Sequence, residues 1–432
     1  MKRSDTPRVG LVVCVAMVVA CMVGTGVFTS LGFQVGPLPS PFVIIVLWAV
    51  GGLIALCGAL SYAELAAALP RSGGEYHFLG RIFHPSLGVM AGFVSVFVGF
   101  AAPIALGAIA FGKYASAAAP GISALAASLG IVLALTLVHS FALRVSGGFQ
   151  IVATSFKVTL ILVFLVAGFL LGRGADFLPK TGDVMLISSG AFAVSLMFVS
   201  YAYSGWNAAV YIVGEVNDPG RTLPRALVLG TLVVTVLYVL LNAMFLASAP
   251  MGEYAGKVEV GEVAARHLFG AAGGHLMSAI IAIGLISSLS ALTWAGPRVA
   301  QTAGEDFPAL RWLAGRSPGG IPVRALVFQT GVVLVLLLTA TFESVLVSAQ
   351  FALISCSTLT VVGLVVLRRR EPGLARPFRC PLYPVVPLVF LASSLFTLGY
   401  AVVSRPIEAL LGSLTLVCGL LLYFFVKRVP TE

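Results

Sequence analysis

The sequence predicts an all-α membrane protein with twelve transmembrane helices, and three observations carry that expectation. Of the 432 residues, 59% are hydrophobic and only 10% charged, with a mean hydropathy of +1.05. An ordinary globular domain carries roughly 25% charged residues, so water is not this chain's main solvent. Apolar runs of about 20 residues, the length a helix needs to cross a hydrocarbon core of ~30 Å, recur from end to end and leave no stretch for a soluble domain. Finally, the basic residues alternate in density from loop to loop.

The expected spans are 9–33, 41–68, 86–112, 122–141, 148–171, 185–213, 226–248, 275–297, 323–340, 344–367, 385–403 and 407–426. The first is apolar around Gly24-Thr25-Gly26, and the fifth carries Lys157 ten residues in. The sixth contains Ser204-Gly205-Trp206-Asn207, and the eighth and tenth are rich in Ser and Thr. Most loops are short, which favours antiparallel neighbours in one bundle; the longer ones are 172–184, 249–274, 298–322 and 368–384. In the last of these, Arg376-Pro377-Phe378-Arg379-Cys380-Pro381-Leu382-Tyr383-Pro384 cannot be a continuous helix, because each Pro removes a donor and restricts its predecessor. An extended segment is expected there.

The formal charge of +10 is a matter of topology. With twelve spans, nineteen Lys and Arg residues fall on the side of both termini, among them Arg71, Arg81, Arg225, Arg298 and Arg368 to Arg370, and six on the other side, with Lys157 inside a span. The positive-inside rule then places both termini in the cytoplasm of a multi-pass protein of the cell inner membrane. Nucleic acid is excluded as a partner; the lipid bilayer is the partner. Six Cys residues without metal spacing are expected to be free thiols. Lys2 and Arg3 ahead of Val19-Ala20-Cys21 look like a lipoprotein signal peptide, but eleven more spans follow and residues 22–33 stay apolar.

Gly24-Thr25-Gly26 and Ser204-Gly205-Trp206-Asn207 are flaws at mid-depth. Backbone that leaves a helix inside the membrane must be buried in protein or line a cavity, since hydrocarbon offers no hydrogen-bond partner. Glycines that only let helices approach closely are the simpler alternative. The two flaws lie five spans apart, however, and five is odd, so the second set of spans would enter from the opposite face. That is an inverted repeat whose interrupted helices form a midplane site, with repeats at 1–172 and 184–367 and two further helices at 385–426.

Gly24-Thr25-Gly26-Val27-Phe28 resembles the glycine-rich opening motif of the amino acid, polyamine and organocation (APC) superfamily. Ser61-Tyr62-Ala63-Glu64-Leu65, Pro70-Arg71-Ser72-Gly73-Gly74-Glu75-Tyr76 and Glu215-Val216-Asn217-Asp218-Pro219-Gly220-Arg221 are similar to it too. So are Pro297-Arg298-Val299, Gly304-Glu305-Asp306-Phe307-Pro308 and the Pro-rich segment from Arg376 to Pro387. Tyr203-Ser204-Gly205-Trp206-Asn207 resembles most the L-amino acid transporter (LAT) branch with its bacterial members. The resemblance covers nearly the whole chain and implies the leucine-transporter (LeuT) fold of ten core helices in a 5+5 inverted repeat plus two C-terminal helices. Thr25 stands where the motif often has Ser, and Tyr201 where a gating Phe is common.

An amino acid presents a carboxylate and an ammonium, and a broken helix can meet both, because free N–H groups at a half-helix start attract the anion and free carbonyls at a half-helix end the cation. The carboxylate is assigned to the backbone of Thr25, Gly26 and Val27 with the Thr25 hydroxyl. The ammonium is assigned to carbonyls near Val23 and from Tyr201 through Tyr203 to Ser204. No Asp or Glu falls at mid-depth; Glu64, Glu215 and Glu343 lie near span ends, so a cationic side chain would lack a counter-ion and neutral substrates are favoured. An ionised Lys157 at the bilayer centre would cost roughly 2.5–3.5 kcal/mol, unless its stem snorkels to the interface. In the family a lysine on span five stands where sodium-coupled relatives hold a cation between spans one and eight. The resemblance therefore implies that Lys157 ties the unwound part of span one to hydroxyls on span eight, Ser287, Ser288 and Ser290 being the candidates, and makes transport sodium-independent. Trp206, Trp294 and Tyr201 are candidates for closing the pocket, and Asn207 for a hydrogen bond across helices.

His139 at a span end and His77 and His84 in a loop form no metal constellation, and no cofactor is expected. Convergent His, Asp or Cys residues that a membrane enzyme would need are missing. The expected activity is an exchanger (antiporter) or a proton-coupled permease of neutral L-amino acids, protons being the optional coupling ion. The alternative is a cationic amino acid or polyamine antiporter of the same fold; a channel or a sensor that binds without transporting is a further class. Short loops and the lack of an external Cys suited to tethering make a protein partner unnecessary.

Overall fold

The computed structural model describes residues 10–71, 73–140, 147–172, 174–315 and 322–426. Among them every regular element is helical. The first expected span is three pieces, α1 (Leu11–Met22), α2 (Gly26–Thr29) and α3 (Leu31–Gln34). A single long helix, α4 (Pro41–Ala68), takes the place of the second; Pro41 starts it, and Ser40 Oγ caps it by accepting from Val43 N at 3.4 Å. The stretch between spans two and three folds in part as a short helix, α5 (Glu75–Ile82). Next come α6 (Pro85–Val94), one π-helical segment at Ser95–Phe100, α7 (Ala101–Ala118), α8 (Ala124–Ser140) and α9 (Gly147–Leu171).

In the second half, α10 (Asp183–Ile187) and α11 (Gly190–Tyr203) precede a break and the 3-10 segment Ala208–Glu215. Then follow α12 (Pro219–Ser248), α13 (Met251–Tyr254) and α14 (Val260–Asp306), which turns at Gly270 where φ is +75°. The 3-10 segment Pro308–Ala314, α15 (Val323–Thr339), α16 (Phe342–Arg370), α17 (Val385–Ser404) and α18 (Pro406–Phe425) complete the order. Among the described residues eight helical stretches are long and apolar enough to cross a membrane, and shorter apolar helices lie at Ala124–Ser140, Ser155–Leu171, Gly190–Tyr203 and Val323–Thr339. A bilayer is the environment these lengths fit.

Three expected loops are more structured than their composition suggested. Residues 249–274 hold α13 and the first turns of α14, 298–322 begins as the end of α14, and the stretch from 75 to 82 is α5. The Pro-rich segment is not a free extended strand either. The Arg376 guanidinium folds it back by donating to the carbonyls of Leu367, Glu371 and Leu374 at 3.2, 3.0 and 2.9 Å.

The core forms where α4 lies against α12, α7 against α14 and α1 against α12, with α11 and α16 filling the middle. Small residues permit this close packing: a Cβ on Gly51 would meet the Val199 side chain of α11, and one on Gly52 the Thr235 side chain of α12. α18 is peripheral, with only 17% of its apolar window buried, against 56% for α4. Its outward Leu414, Phe424 and Phe425, like Leu170 of α9, are exposed apolar surface of the kind lipid covers.

Candidate functional site

Both mid-depth flaws are places where the helix stops. α1 ends at Met22; Val23 leaves helical geometry at ψ 82°, and helix resumes at Gly26. α11 ends at Tyr203; Ser204 is extended at ψ 143°, and Gly205 takes φ +105°, which only glycine adopts without strain. The interruptions lie against one another. A Cβ on Gly26 would come within 2.4 Å of Ala202 Cα, and one on Gly205 within 2.8 Å of the Cys21 carbonyl carbon, so each break packs its glycine on the backbone of the other span. The Thr25 and Tyr201 hydroxyls share a buried hydrogen bond of 2.5 Å across the gap, and Ser30 Oγ donates to Phe198 O at 3.3 Å.

The polar groups of the breaks divide into occupied and open ones. Met22 O accepts from Tyr238 Oη at 2.6 Å and from Gly24 N at 2.8 Å. Tyr201 O accepts from both Ser204 N (3.1 Å) and Ser204 Oγ (2.5 Å). A carbonyl has two lone pairs, so Tyr201 O is full. The N–H groups of Gly26 and Val27 open a helical segment and have no acceptor four residues back in the same helix. Thr25, Gly26 and Val27 are all buried at this point.

The other expected site residues separate by side. Tyr203 turns away from the gap into an aromatic cluster with Trp48 and Tyr238, its hydroxyl donating to Trp48 O at 3.1 Å. Trp206 packs edge-on against Tyr62 at 4.8 Å and near Phe390 at 6.4 Å. Asn207 Nδ2 donates to Glu75 Oε1 at 3.2 Å, a bond between separate elements. The side chains of Trp294 and Glu215 lie outside the described residues.

On the opposite flank of the first break, Lys157 Nζ of α9 donates to Ser288 Oγ of α14 at 2.5 Å. The two border a small cavity together with Val23, Gly24, Phe28 and Gly284. Lys157 thus bridges to span eight by a hydrogen bond, whereas toward span one it borders the shared cavity and lies within electrostatic range of Cys21. Ser287 Oγ is buried without a hydrogen-bond partner, and Ser290 Oγ bonds His139 Nε2 at 2.9 Å, so Ser288 alone of the three serines meets the lysine.

Two acids behave differently from what their positions suggested. Glu64 is fully buried and clamped by Arg368, with Nε to Oε1 at 2.8 Å and Nη2 to Oε2 at 2.5 Å. Cys380 N donates to it at 2.7 Å, and Arg376 pairs at 3.4 Å. Glu75, read as a loop residue, is 7% exposed beside the second break and accepts from Tyr62 Oη, Asn207 Nδ2 and Tyr211 Oη. A buried acid therefore does adjoin the site, though three protein donors occupy its oxygens. The signal for it was the pair Gly73-Gly74 just ahead, whose φ values of +125° and +55° bring the chain to the start of α5. Among the described residues no cluster of three or more His, Cys, Asp or Glu could hold a metal.

At the breaks the N–H groups of Gly26 and Val27 have no acceptor within their own helix, whereas Met22 O and Tyr201 O each already accept two hydrogen bonds. A serine/threonine exchanger of Bacillus subtilis (strain 168) is 27% identical over 98% of this chain and 97% of its own length. The b(0,+)-type amino acid transporter 1 of Mus musculus is 27% identical over 96% of this chain and 87% of its own. The Asc-type amino acid transporter 1 of Mus musculus is 25% identical over 96% and 80%. The amino acid permease family model matches residues 9–418. With that match across two abutting helix interruptions in an all-helical membrane bundle, the chain belongs to the amino acid permease family and is a transport protein, not an enzyme.

Proposed function

We propose that the chain is a sodium-independent secondary transporter of neutral L-amino acids, working by exchange or proton coupling. The observation that carries this reading is the Lys157–Ser288 bond beside the interrupted first span. An ammonium fixed between α9 and α14 supplies the charge that a metal cation would otherwise bring to the broken backbone. The substrate carboxylate is taken by the N–H groups of Thr25, Gly26 and Val27, with the Thr25 hydroxyl exchanging its Tyr201 partner for the ligand. The ammonium goes to Val23 O and to carbonyls beyond the occupied Tyr201 O. Trp206 closes the space below. Helix interruptions five spans apart support twelve crossings in the LeuT arrangement, with inverted repeats at 1–172 and 184–367, two added helices at 385–426, and both termini cytoplasmic in the cell inner membrane.

Neutral cargo is favoured because Glu75, the one acid adjoining the breaks among the described residues, has its oxygens filled by Tyr62, Asn207 and Tyr211. The competing cargo, a cationic amino acid or polyamine, would need that carboxylate released. Purified protein in liposomes preloaded with unlabelled amino acid should take up labelled serine, alanine, threonine or leucine in sodium-free buffer. A strict sodium requirement would remove the role given to Lys157. Inhibition by arginine, ornithine and putrescine but not by neutral amino acids would replace the neutral reading with the cationic one.

A further inference from the structure

We propose that Glu75 is a positioning residue, a latch that holds one end of the transport route shut. The inference rests on reading the paired interruptions as the transport site. Glu75 begins α5, outside the long helices, yet its carboxylate accepts from three neutral donors on two other elements. Oε1 accepts from Tyr62 Oη of α4 at 2.9 Å and from Asn207 Nδ2 at 3.2 Å; Oε2 accepts from Tyr211 Oη at 2.6 Å. Asn207 and Tyr211 belong to the chain directly after the second break. The same carboxylate therefore joins the uninterrupted α4 and the short α5 to the half of span six that must move if the route opens.

Two features mark this as a built closure. Gly74, at φ +55°, has no room for a side chain, since a Cβ would meet the Tyr211 ring at 2.5 Å; the ring packs against this glycine and its hydroxyl donates to Oε2. Above it Trp206 rests on Tyr62, the ring whose hydroxyl holds Oε1, so the indole and the carboxylate brace one residue from two sides. The cations nearby are committed elsewhere: Arg81 pairs with Glu371 at 2.9 Å, and Arg368 and Arg376 with Glu64. His77 is held below its usual basicity by burial, then by Arg71 and Arg81. Among the described residues Glu75 has no ion pair. A buried carboxyl group held only by neutral donors is satisfied while all of them are in place. Loss of any one weakens the rest, and that gives a latch its sharp release.

Cys356 on α16 is 2% exposed and within electrostatic range of both Glu75 and Tyr211, so it reports on this closure; Cys14, fully buried on α1, reports on the bundle. The test is maleimide labelling of the intact purified protein without substrate, quantified at each cysteine by peptide mass spectrometry. Glu75→Gln keeps the volume but leaves one acceptor oxygen in place of two. It should raise Cys356 labelling at least about threefold, with Cys14 as in the wild type. Tyr211→Phe, which removes one donor and retains the carboxylate, should give the same pattern at smaller amplitude and carries the test if Glu75→Gln does not fold. Unchanged Cys356 labelling in the folded variants overturns the latch. So does a parallel rise at Cys14, which would mean general loosening. Because no substrate is present, absence of amino acid uptake in liposomes would sink the transport reading while leaving this outcome separately readable.

Discussion

At the scale of single residues, the site is built from polar groups that are individually modest and mutually placed. Thr25 and Tyr201 share one buried hydrogen bond, and such a bond contributes about 0.5–1.5 kcal/mol net. Thr25→Val removes the hydroxyl proposed to meet the substrate, whereas Tyr201→Phe only frees Thr25 of its resting partner. Uptake assays should show the half-saturation concentration rising roughly tenfold for Thr25→Val and changing little for Tyr201→Phe; equal effects would mean that the hydroxyl pair is structural. Lys157→Met keeps the stem and removes the ammonium. Exchange should fall at least tenfold in liposomes while the protein still elutes as a single folded species, and full activity would show that the first break needs no fixed cation.

The element scale is where the breaks become a site. Gly26 sits on Ala202 so closely that Gly26→Ala would drive α2 from α11, an overpacking cost of about 1–3 kcal/mol. Loss of uptake should accompany a lower melting temperature; wild-type uptake in that variant would mean that the two breaks need not touch. At the other end, the Glu64 clamp joins α4, α16 and the turn-rich segment before α17. Burial, with Glu64 beside it, pushes the Cys380 thiol in that segment up to about 12, which makes it an inert structural thiol. Arg368 also stacks over Tyr383 at 3.7 Å. Removing one partner of a buried pair costs about 3–5 kcal/mol. Glu64→Ala should therefore lower the thermal midpoint far more than Glu343→Ala, whose partner Arg405 is 38% exposed. Similar midpoints would show that the clamp is not load-sharing.

Across the whole molecule, charge and hydropathy set the frame in which these elements move. If both termini face the cytoplasm, epitope tags at either end should be accessible only after cells are permeabilised, and a tag in the 249–259 stretch should be accessible without it. The reverse pattern would invert the proposed topology and, with it, the side on which Glu75 closes the route. Much of this frame was legible in residues alone. Some apolar runs match a helix end to end, α4 beginning and ending where the hydropathy does, whereas the expected eighth span, 275–297, lies inside the longer α14; a chain in lipid must satisfy each backbone group within its own helix. Gly24 to Gly26 and Ser204 to Asn207 announced the interruptions, because only such residues tolerate leaving the helix there. Pairing was another matter. That Ser288 and not Ser287 meets Lys157, that Tyr203 turns away from the gap into the buried cluster with Trp48, and that Glu75 folds beside the second break depend on helix rotation and on contacts between residues more than a hundred positions apart. Local sequence fixes a helix's length and its weak points through backbone chemistry. Which face it turns inward is decided only when all neighbours compete for the same volume, and that competition exists only in the folded bundle.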